Sequence, residues 1–247
     1  MKLERRYVEK PWGRTSLPPM FDPPEKQRIG EVWFEGAGDL PLLAKYIFTS
    51  EALSIQVHPN DEQAHERGLP SGKSECWYIL DAEPGSSIAF GLKREVSAEK
   101  LRAAALNGSI EDLVVHREVA AGDFISVPGG TIHAIGAGIS LLEFQQNADI
   151  TYRLYDYGRP RELHLDDGIA VASRGPPPDG LIQRNPSETT LIDGPFFALR
   201  LARSDAFQDR QRWVMPLEGG NAGQCFLLDP GEEGDVGEEL KLVGAKA

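Results

Sequence analysis

The sequence predicts an all-β protein, a sandwich or barrel of short strands, and two observations lead to this fold class. The 247 residues include 26 glycines and 18 prolines, which fall between short runs rich in Val, Ile, Phe and Tyr. Strands separated by turn residues in this way are typical of sandwiches and barrels. Helical periodicity is scarce, and a content of 40% hydrophobic and 26% charged residues indicates a globular chain.

Candidate strands follow one another along the N-terminal part of the chain. They cover residues 30–34, 44–49, 53–57, 75–80, 87–90, 117–119, 123–127, 140–146 and 150–154. Three short helices interrupt this series. Ser97 is a favourable N-cap for a helix over 98–106, and shorter helical turns are expected at 60–67 and 110–114.

A proline-rich segment, GPPPDG at 175–180, divides the chain. Proline cannot donate a hydrogen bond to a strand ladder, so this segment is interpreted as a linker. It separates a domain of residues 1–174 from a smaller β-unit of residues 181–247. Within that unit, strands are expected at 189–201 and 225–228.

Composition excludes several classes of function. A formal net charge of −12 and a pI near 4.9 argue against a nucleic-acid partner, because the chain would repel a phosphate backbone. The two cysteines, Cys76 and Cys225, form no CxxC motif, so neither a disulfide framework nor a thiolate metal site is indicated. The lack of an apolar N-terminal segment or a long apolar run predicts a cytoplasmic protein with no membrane partner.

The strongest functional signal lies between residues 53 and 78. Gln56 and His58 are two residues apart on a predicted strand, so their side chains project from the same face. Glu75 begins another strand, and His133 follows a Pro-Gly-Gly turn into a third. Two imidazoles, a carboxylate and an amide oxygen form a mixed donor set that suits zinc, iron or manganese.

Four blocks of sequence resemble the type I phosphomannose isomerases (mannose-6-phosphate isomerases), in their short bacterial form. They appear in the family's order, roughly between residues 5 and 165. The blocks are KPWG at 10–13, IGEVW at 29–33, LSIQVHPND at 53–61 with GKSECWY at 72–78, and VPGGTIHA at 127–134 with DITYRLYDYGR at 149–159. The resemblance implies a cupin fold, a double-sheet jelly roll that holds its metal on inward-facing strands.

The resemblance also implies a cofactor and a reaction. One zinc ion per chain would be held by Gln56, His58, Glu75 and His133, with another divalent metal as an alternative. The reaction would be the interconversion of mannose 6-phosphate and fructose 6-phosphate, an aldose–ketose isomerisation by proton transfer through an enediolate. Two alternatives stay open: another metal-dependent sugar isomerase of this fold, and a non-catalytic cupin that binds sugar phosphates.

Three side chains are candidates for catalysis. The resemblance places Arg153 near the reacting carbons and Lys73 beside the metal, where it would hold a sugar hydroxyl or transfer a proton. A surface lysine in the preceding turn is the alternative for Lys73. Glu143 is the candidate base, because it and Arg153 would share a face if their strands were joined without a bulge. A solvated or ion-paired carboxylate is the alternative for Glu143.

Two further side chains are candidates for holding the substrate. Ser54 shares the predicted face of Gln56 and could bond the phosphate or a sugar oxygen. Arg159 is the expected phosphate ligand, since a guanidinium binds phosphate through two bonds, and Arg161 is expected only to flank it. Relative to the family, the second β-unit is expected to be incomplete, with an open sheet edge that a second subunit would cover in a homodimer.

Overall fold

The chain folds into three antiparallel β-sheets and a few short helices in the computed structural model, which describes residues 1–187, 189–204, 206–234 and 237–247. The strands are β1 (Glu4–Arg14), β2 (Ile29–Glu35), β3 (Leu42–Phe48), β4 (Ile55–Val57), β5 (Glu75–Ala82), β6 (Ser87–Leu92), β7 (Val114–Glu118), β8 (Phe124–Val127), β9 (His133–Ile135), β10 (Ile139–Gln146), β11 (Tyr152–Tyr155), β12 (Ile182–Gln183), β13 (Thr189–Asp193), β14 (Phe197–Ala202), β15 (Arg212–Pro216), β16 (Phe226–Leu228) and β17 (Lys241–Lys246). The helices are α1 (Asp61–His65), α2 (Ala98–Asn107), α3 (Ile110–Leu113) and α4 (Leu165–Val171).

The first two sheets form a sandwich. The larger one has the order β1-β2-β3-β10-β5-β8-β12, and the smaller one has the order β11-β4-β9-β6-β7. Their inner faces share one apolar cluster, to which the larger sheet contributes Ile47, Trp77 and Ile125 and the smaller sheet contributes Phe90 and Ile135. This two-sheet arrangement confirms the predicted all-β, cupin-like fold class.

The third sheet, of order β13-β14-β17-β15-β16, covers the outer face of the larger sheet. Phe144 of β10 packs edge-on against Phe197 of β14 and Trp213 of β15, at ring-centroid distances of 5.4 Å and 5.9 Å. These residues belong to an apolar cluster that the two sheets build together. The larger sheet is therefore buried on both faces over much of its width.

The helices α2, α3 and α4 lie against the outer face of the smaller sheet. Leu101 of α2, Ile110 of α3 and Ile169 of α4 share a cluster with Ile55 and Leu154 of the sheet. The predicted start of α2 is confirmed, because the Ser97 side chain accepts a hydrogen bond from the Lys100 amide. None of the helices in the described part of the chain is long and apolar enough to cross a membrane.

The long first strand, β1, is the main element absent from the sequence-based prediction. Its residues are mostly half-buried or exposed, because it lies at the edge of the larger sheet, and its many charged residues hide the alternation typical of a strand. The helix α4 and the strands β12, β15 and β17 were not predicted either. The predicted division at the proline-rich segment stays a prediction; β12, which follows that segment, pairs with β8 in the larger sheet.

Candidate active site

A cavity of about 280 Å³ opens between the two sheets of the sandwich, and polar side chains dominate its walls. Six of the nine predicted site residues line it: Ser54, Gln56, Lys73, Glu75, Glu143 and Arg153. His58 and His133 lie directly behind, each with its Nε2 atom 3.4 Å from a carboxylate oxygen of Glu75. The remaining residue, Arg159, does not line the cavity.

Close packing of loop backbones brings the histidines and the glutamate together. A Cβ atom on Gly72 would lie 2.4 Å from the carbonyl carbon of Asn60, and one on Gly129 would lie 2.8 Å from the Asn60 Cα atom. Only glycine permits such an approach at both positions. The two glycines thus seat the turn before Glu75 and the turn before His133 against the segment that follows His58.

His58, Glu75 and His133 form a compact cluster of potential metal donors. One donor atom from each lies within 4.8 Å of the other two, and all three side chains are buried. His58 Nδ1 bonds the Ile150 carbonyl oxygen at 2.7 Å, and His133 Nδ1 bonds that of Thr131 at 2.9 Å. A carbonyl oxygen only accepts, so each Nδ1 carries the proton and each Nε2 lone pair faces the cluster.

The protonation states of the cluster also suit a cation. Burial, together with the nearby Lys73 ammonium, lowers the pKa of His58 well below its usual range, and burial likewise lowers the pKa of His133. Burial alone would raise the pKa of Glu75, but Lys73 and then His58 outweigh it and hold the pKa well below its ordinary value. Two neutral imidazoles and one carboxylate therefore face one another at neutral pH.

The donor set fits a divalent metal. Glu75 Oε2 is buried and, within the described part of the chain, accepts no well-directed hydrogen bond, although the Lys73 ammonium lies 3.0 Å away. Gln56 stands next to the cluster, because it pairs directly with His133 across the strands β4 and β9. Its Nε2 lies 3.3 Å from His133 Nε2, and its Oε1 accepts from Ser54 Oγ at 3.1 Å. Turning this amide over would present its oxygen to the cluster.

A row of alternating charges crosses the opposite wall of the cavity. Lys10, Glu31, Lys45 and Glu143 come from the neighbouring strands β1, β2, β3 and β10. The nitrogen–oxygen distances along the row are 3.3 Å, 3.8 Å and 2.9 Å. Burial alone would lower the pKa of Lys45, but Glu143 and Glu31 raise it, so the ammonium stays charged. The row ends beside Lys73, whose Nζ lies 4.0 Å from Glu143 Oε1.

Glu143 sits in an environment that adjusts its basicity. Its Oε2 accepts a hydrogen bond from the Trp77 indole at 2.9 Å, and its Oε1 lies 2.9 Å from Lys45 Nζ. Burial, followed by the negative charge of Glu75, raises the pKa of Glu143 against the opposing effect of the lysines. A carboxylate with a raised pKa inside a polar cavity is a reasonable proton acceptor.

Comparisons with known proteins agree with this geometry. The chain is 41% identical over 169 residues to a mannose-6-phosphate isomerase of Streptococcus mutans, covering 64% of this chain and 53% of the relative. It is 38% identical over 207 residues to the mannose-6-phosphate isomerase ManA of Bacillus subtilis, covering 67% and 65%. The crystal structure of the Bacillus subtilis mannose 6-phosphate isomerase superposes with a TM-score of 0.84 and 28% identity, covering 98% of each chain.

The chain belongs to the type I phosphomannose isomerase family. No family model matches the sequence. The sequence alignments span between about half and two thirds of the length of these two curated relatives. The family predicted from the four sequence blocks is thereby confirmed.

Several charged cavity residues of this phosphomannose isomerase family member were absent from the predicted site, Asp149 among them. Lys10, Glu31 and Lys45 line the cavity, and strand parity could have found them. Lys10 and Glu31 lie in the blocks KPWG and GEVW, and Lys45 sits on the same face of β3 as Ile47, which also lines the cavity.

The settings of two predicted residues bear on how they were predicted. Lys73 is buried beside Glu75, in line with what the resemblance implies, rather than placed in a surface turn. Glu143 and Arg153 both line the cavity, but from strands of different sheets, so the parity argument that paired them does not apply. They approach the same space because the two sheets face each other across the cavity.

Proposed function

We propose that this chain is a divalent-metal-dependent isomerase that interconverts mannose 6-phosphate and fructose 6-phosphate, an enzyme of carbohydrate metabolism. One observation carries the proposal: the His58–Glu75–His133 donor cluster adjoins a cavity that also holds Lys73, Glu143 and Arg153. Family membership supports the same conclusion.

Zinc is the proposed metal, and Gln56, His58, Glu75 and His133 would hold it, because a mixed set of imidazole and oxygen donors suits that ion. A bound zinc ion would act as a Lewis acid that polarises the sugar carbonyl. The hydrogen bonds from both Nδ1 atoms to backbone carbonyl oxygens fix the orientation of the imidazoles before any metal binds.

Glu143 is the proposed base. In the open-chain aldose, it would accept the proton from C2, so that the C2–H electron pair forms a C1–C2 double bond and the carbonyl π pair moves to O1. Returning the proton to C1, while the O2 proton passes to O1 and the C2 carbonyl forms, completes the conversion to the ketose. The same carboxylate can serve both carbons because it neither gains nor loses a proton overall.

The neighbouring cations would stabilise the charge that develops on the sugar oxygens. Lys73 is buried within 3.0 Å of Glu75, where it can donate to an oxygen of a bound sugar. Arg153 faces Gln56 across β11 and β4, and its Nη1 donates to the Glu162 carbonyl oxygen at 2.7 Å, which steadies the guanidinium. Ser54 offers a hydroxyl to the sugar from the same wall.

A coupled assay with metal control tests the proposal. Purified protein supplied with zinc should convert mannose 6-phosphate, lose this activity on chelation and regain it when zinc is restored. Binding of the sugar phosphate without any interconversion would instead identify a non-catalytic cupin, and turnover of another sugar alone would identify a different isomerase.

The metal ligands can be tested separately by elemental analysis. His58→Ala should lose most of its bound zinc, since it removes one of only two nitrogen donors in the cluster. His65→Ala is the matched control, because the His65 side chain is exposed and, among the described residues, bonds only the Pro70 carbonyl oxygen. Wild-type zinc content in His58→Ala would refute the site.

Location in the cytoplasm and assembly as a homodimer stay predictions. Size-exclusion chromatography with light scattering tests the second one directly. A species with twice the 27.1 kDa mass of the chain would support the dimer, and a stable monomer would contradict it.

A further inference from the structure

Two arginines pair with one buried carboxylate just after β11. Asp156 is 2% exposed and follows the last residue of the strand. The next two residues, Tyr157 and Gly158, have positive φ angles of 54° and 77°. This left-handed turn, unusual for a tyrosine, folds the chain back so that Arg159 and Arg161 both reach Asp156.

The guanidinium of Arg159 is used within the protein. Its Nη2 donates to the Ala52 carbonyl oxygen at 2.7 Å and lies 2.8 Å from Asp156 Oδ1, and its Nε also donates to that oxygen at 3.1 Å. Its Nη1 lies 3.7 Å from Glu51. With these partners and no surface on the cavity, Arg159 acts as a brace between the chain after β11 and the segment before β4.

Arg161 has a different setting. Its Nε and Nη2 atoms donate to the two oxygens of Asp156 at 2.6 Å and 2.7 Å, which is the paired geometry that fixes a guanidinium most firmly. Unlike Arg159, it lines the cavity. Within the described ranges of the chain, no residue accepts a hydrogen bond from its Nη1.

Charge balance shows why this end of the cavity suits an anion. Each lysine that lines the cavity lies within 4.0 Å of a glutamate that also lines it. Arg153 has no carboxylate within 4.0 Å among the described residues, and the partner of Arg161, Asp156, does not line the cavity. The described lining therefore holds five cations and four carboxylates, Asp149 included, and Arg153 and Arg161 are the cations that no lining carboxylate approaches within 4.0 Å.

We propose that Arg161, beside Arg153, binds the phosphate group of the substrate, and that Asp156 is the positioning residue that holds Arg161 in place. The inference rests on the proposed function for the identity of the substrate as a sugar phosphate. A phosphate monoester carries a charge of about −1.5 to −2 at neutral pH, which suits a guanidinium that no cavity carboxylate pairs with, while Arg153 keeps its place at the sugar oxygens. Arg159, the residue that sequence motifs favoured for this role, braces the site from behind.

Titration calorimetry with inorganic phosphate tests the anion site without relying on turnover. The dissociation constant of the zinc-supplied wild type should rise by about tenfold to a hundredfold in Arg161→Gln, the range expected for one charge-assisted hydrogen-bonding partner. The KM for mannose 6-phosphate should rise by a similar factor, with a much smaller change in kcat. Arg67→Gln is the matched control, because Arg67 also pairs with an aspartate, Asp167, and is similarly exposed, but lies outside the cavity.

A double-variant cycle tests the positioning role of Asp156. Asp156→Asn should weaken phosphate binding, because an amide cannot accept from Nε and Nη2 of Arg161 at once. In the Arg161→Gln background the same change should add little, since Asp156 acts through Arg161. Fully additive losses would show a general structural role and overturn that part of the inference.

Two further outcomes separate this inference from the proposed isomerase activity. Phosphate binding that depends on Arg161 in a protein without turnover would uphold the anion site and refute the isomerase. Turnover of mannose 6-phosphate with unchanged phosphate affinity and KM in Arg161→Gln would uphold the isomerase and refute the anion site. A larger rise in KM for Arg159→Lys than for Arg161→Lys would also refute it.

Discussion

The two faces of the larger sheet differ sharply, although the same strands build both. On β10, Glu143 points into the cavity and forms the ion pair with Lys45, whereas the next residue, Phe144, points into the apolar layer beneath the third sheet. The same alternation holds on β3, where Lys45 and Ile47 line the cavity and Tyr46 belongs to the apolar layer. Because side chains alternate along a strand, one face of the sheet carries the residues of the proposed chemistry and the other face carries residues that stabilise the fold.

Adjacent residues on these strands can therefore be substituted with opposite consequences. Changes on the cavity face should alter turnover, affinity or pH dependence. Changes on the covered face should alter the free energy of unfolding and leave the kinetic constants of the folded fraction intact. Variants on both faces therefore test whether the two faces have separate roles.

Glu143→Gln should have the largest effect. It removes the proposed proton acceptor while keeping nearly the same shape, and general-base catalysis typically contributes about 10²–10⁴-fold to the rate. We expect kcat for mannose 6-phosphate to fall within that range, as measured by the coupled assay on protein with confirmed zinc content. Turnover within about threefold of wild type would be far outside that range and would remove Glu143 from the mechanism.

A second substitution controls for the stability cost of that variant. Glu143→Gln also deprives the buried Lys45 ammonium of its 2.9 Å partner, and breaking a buried ion pair can cost about 3–5 kcal/mol. Adding Lys45→Met removes the stranded charge, so thermal stability should recover while turnover does not. Recovery of both together would show that the loss of rate was only a loss of folded protein.

Phe144→Ala tests the covered face. Phe144 is fully buried against Phe197 and Trp213, and truncating such a phenylalanine typically costs about 3–5 kcal/mol in unfolding free energy. Urea unfolding followed by circular dichroism measures this loss. The KM of the folded protein should stay the same, and Phe144→Leu should lose much less stability. A change in KM without a change in stability would contradict the separate roles of the two faces.

Sequence patterns were sufficient for the donor cluster because its members lie in short, turn-bounded motifs. Gln56 and His58 have strand spacing, and the glycine turns before Glu75 and His133 mark where the chain closes around them. The alternation of side chains along a single strand is a local property. The strands that carry these residues could therefore be predicted from short stretches of sequence. The family resemblance then supplied the fold.

The rest of the site depends on contacts that no local window contains. The row from Lys10 to Glu143 exists only because β1, β2, β3 and β10 are neighbours in the sheet, an order that the sequence does not reveal. The difference between Arg159 and Arg161 depends on a left-handed turn at Tyr157, where a glycine would be the usual signal. Glu143 and Arg153 line the same cavity only because the two sheets of the sandwich face each other.

Gly244→Ala should have a smaller effect on the covered face. A Cβ atom on this β17 glycine would lie 2.5 Å from the Phe144 ring, so the ring or the strand must shift. Overpacking of this kind typically costs about 1–3 kcal/mol in unfolding free energy. In a Phe144→Leu background the cost should be lower, because the smaller side chain leaves room, and urea unfolding of the four proteins in the cycle gives this coupling. Equal costs in both backgrounds would show that the contact carries no strain.

Trp77→Phe should have the smallest effect on activity, and the pH dependence of kcat is the measurement that detects it. The Trp77 indole donates to Glu143 Oε2, and a donor favours the ionised carboxylate, so losing it should raise the pKa of Glu143 further. The proposed base works as the carboxylate, so activity falls as pH drops through this pKa. One hydrogen bond has a net worth of about 0.5–1.5 kcal/mol, so the acidic limb of the kcat profile should move up by about one pH unit or less.

The control for this variant lies on the covered face. Trp213→Phe removes an equivalent buried indole from the apolar layer, where in the described chain its Nε1 bonds no acceptor. It should lower stability without moving the acidic limb, whereas Trp77→Phe should move the limb and leave kcat at high pH close to wild type. A shift of the same size in both variants would mean that the pKa of Glu143 responds to general loosening of the sheet. In that case the indole bond would not set the basicity of Glu143, and the two faces would be coupled.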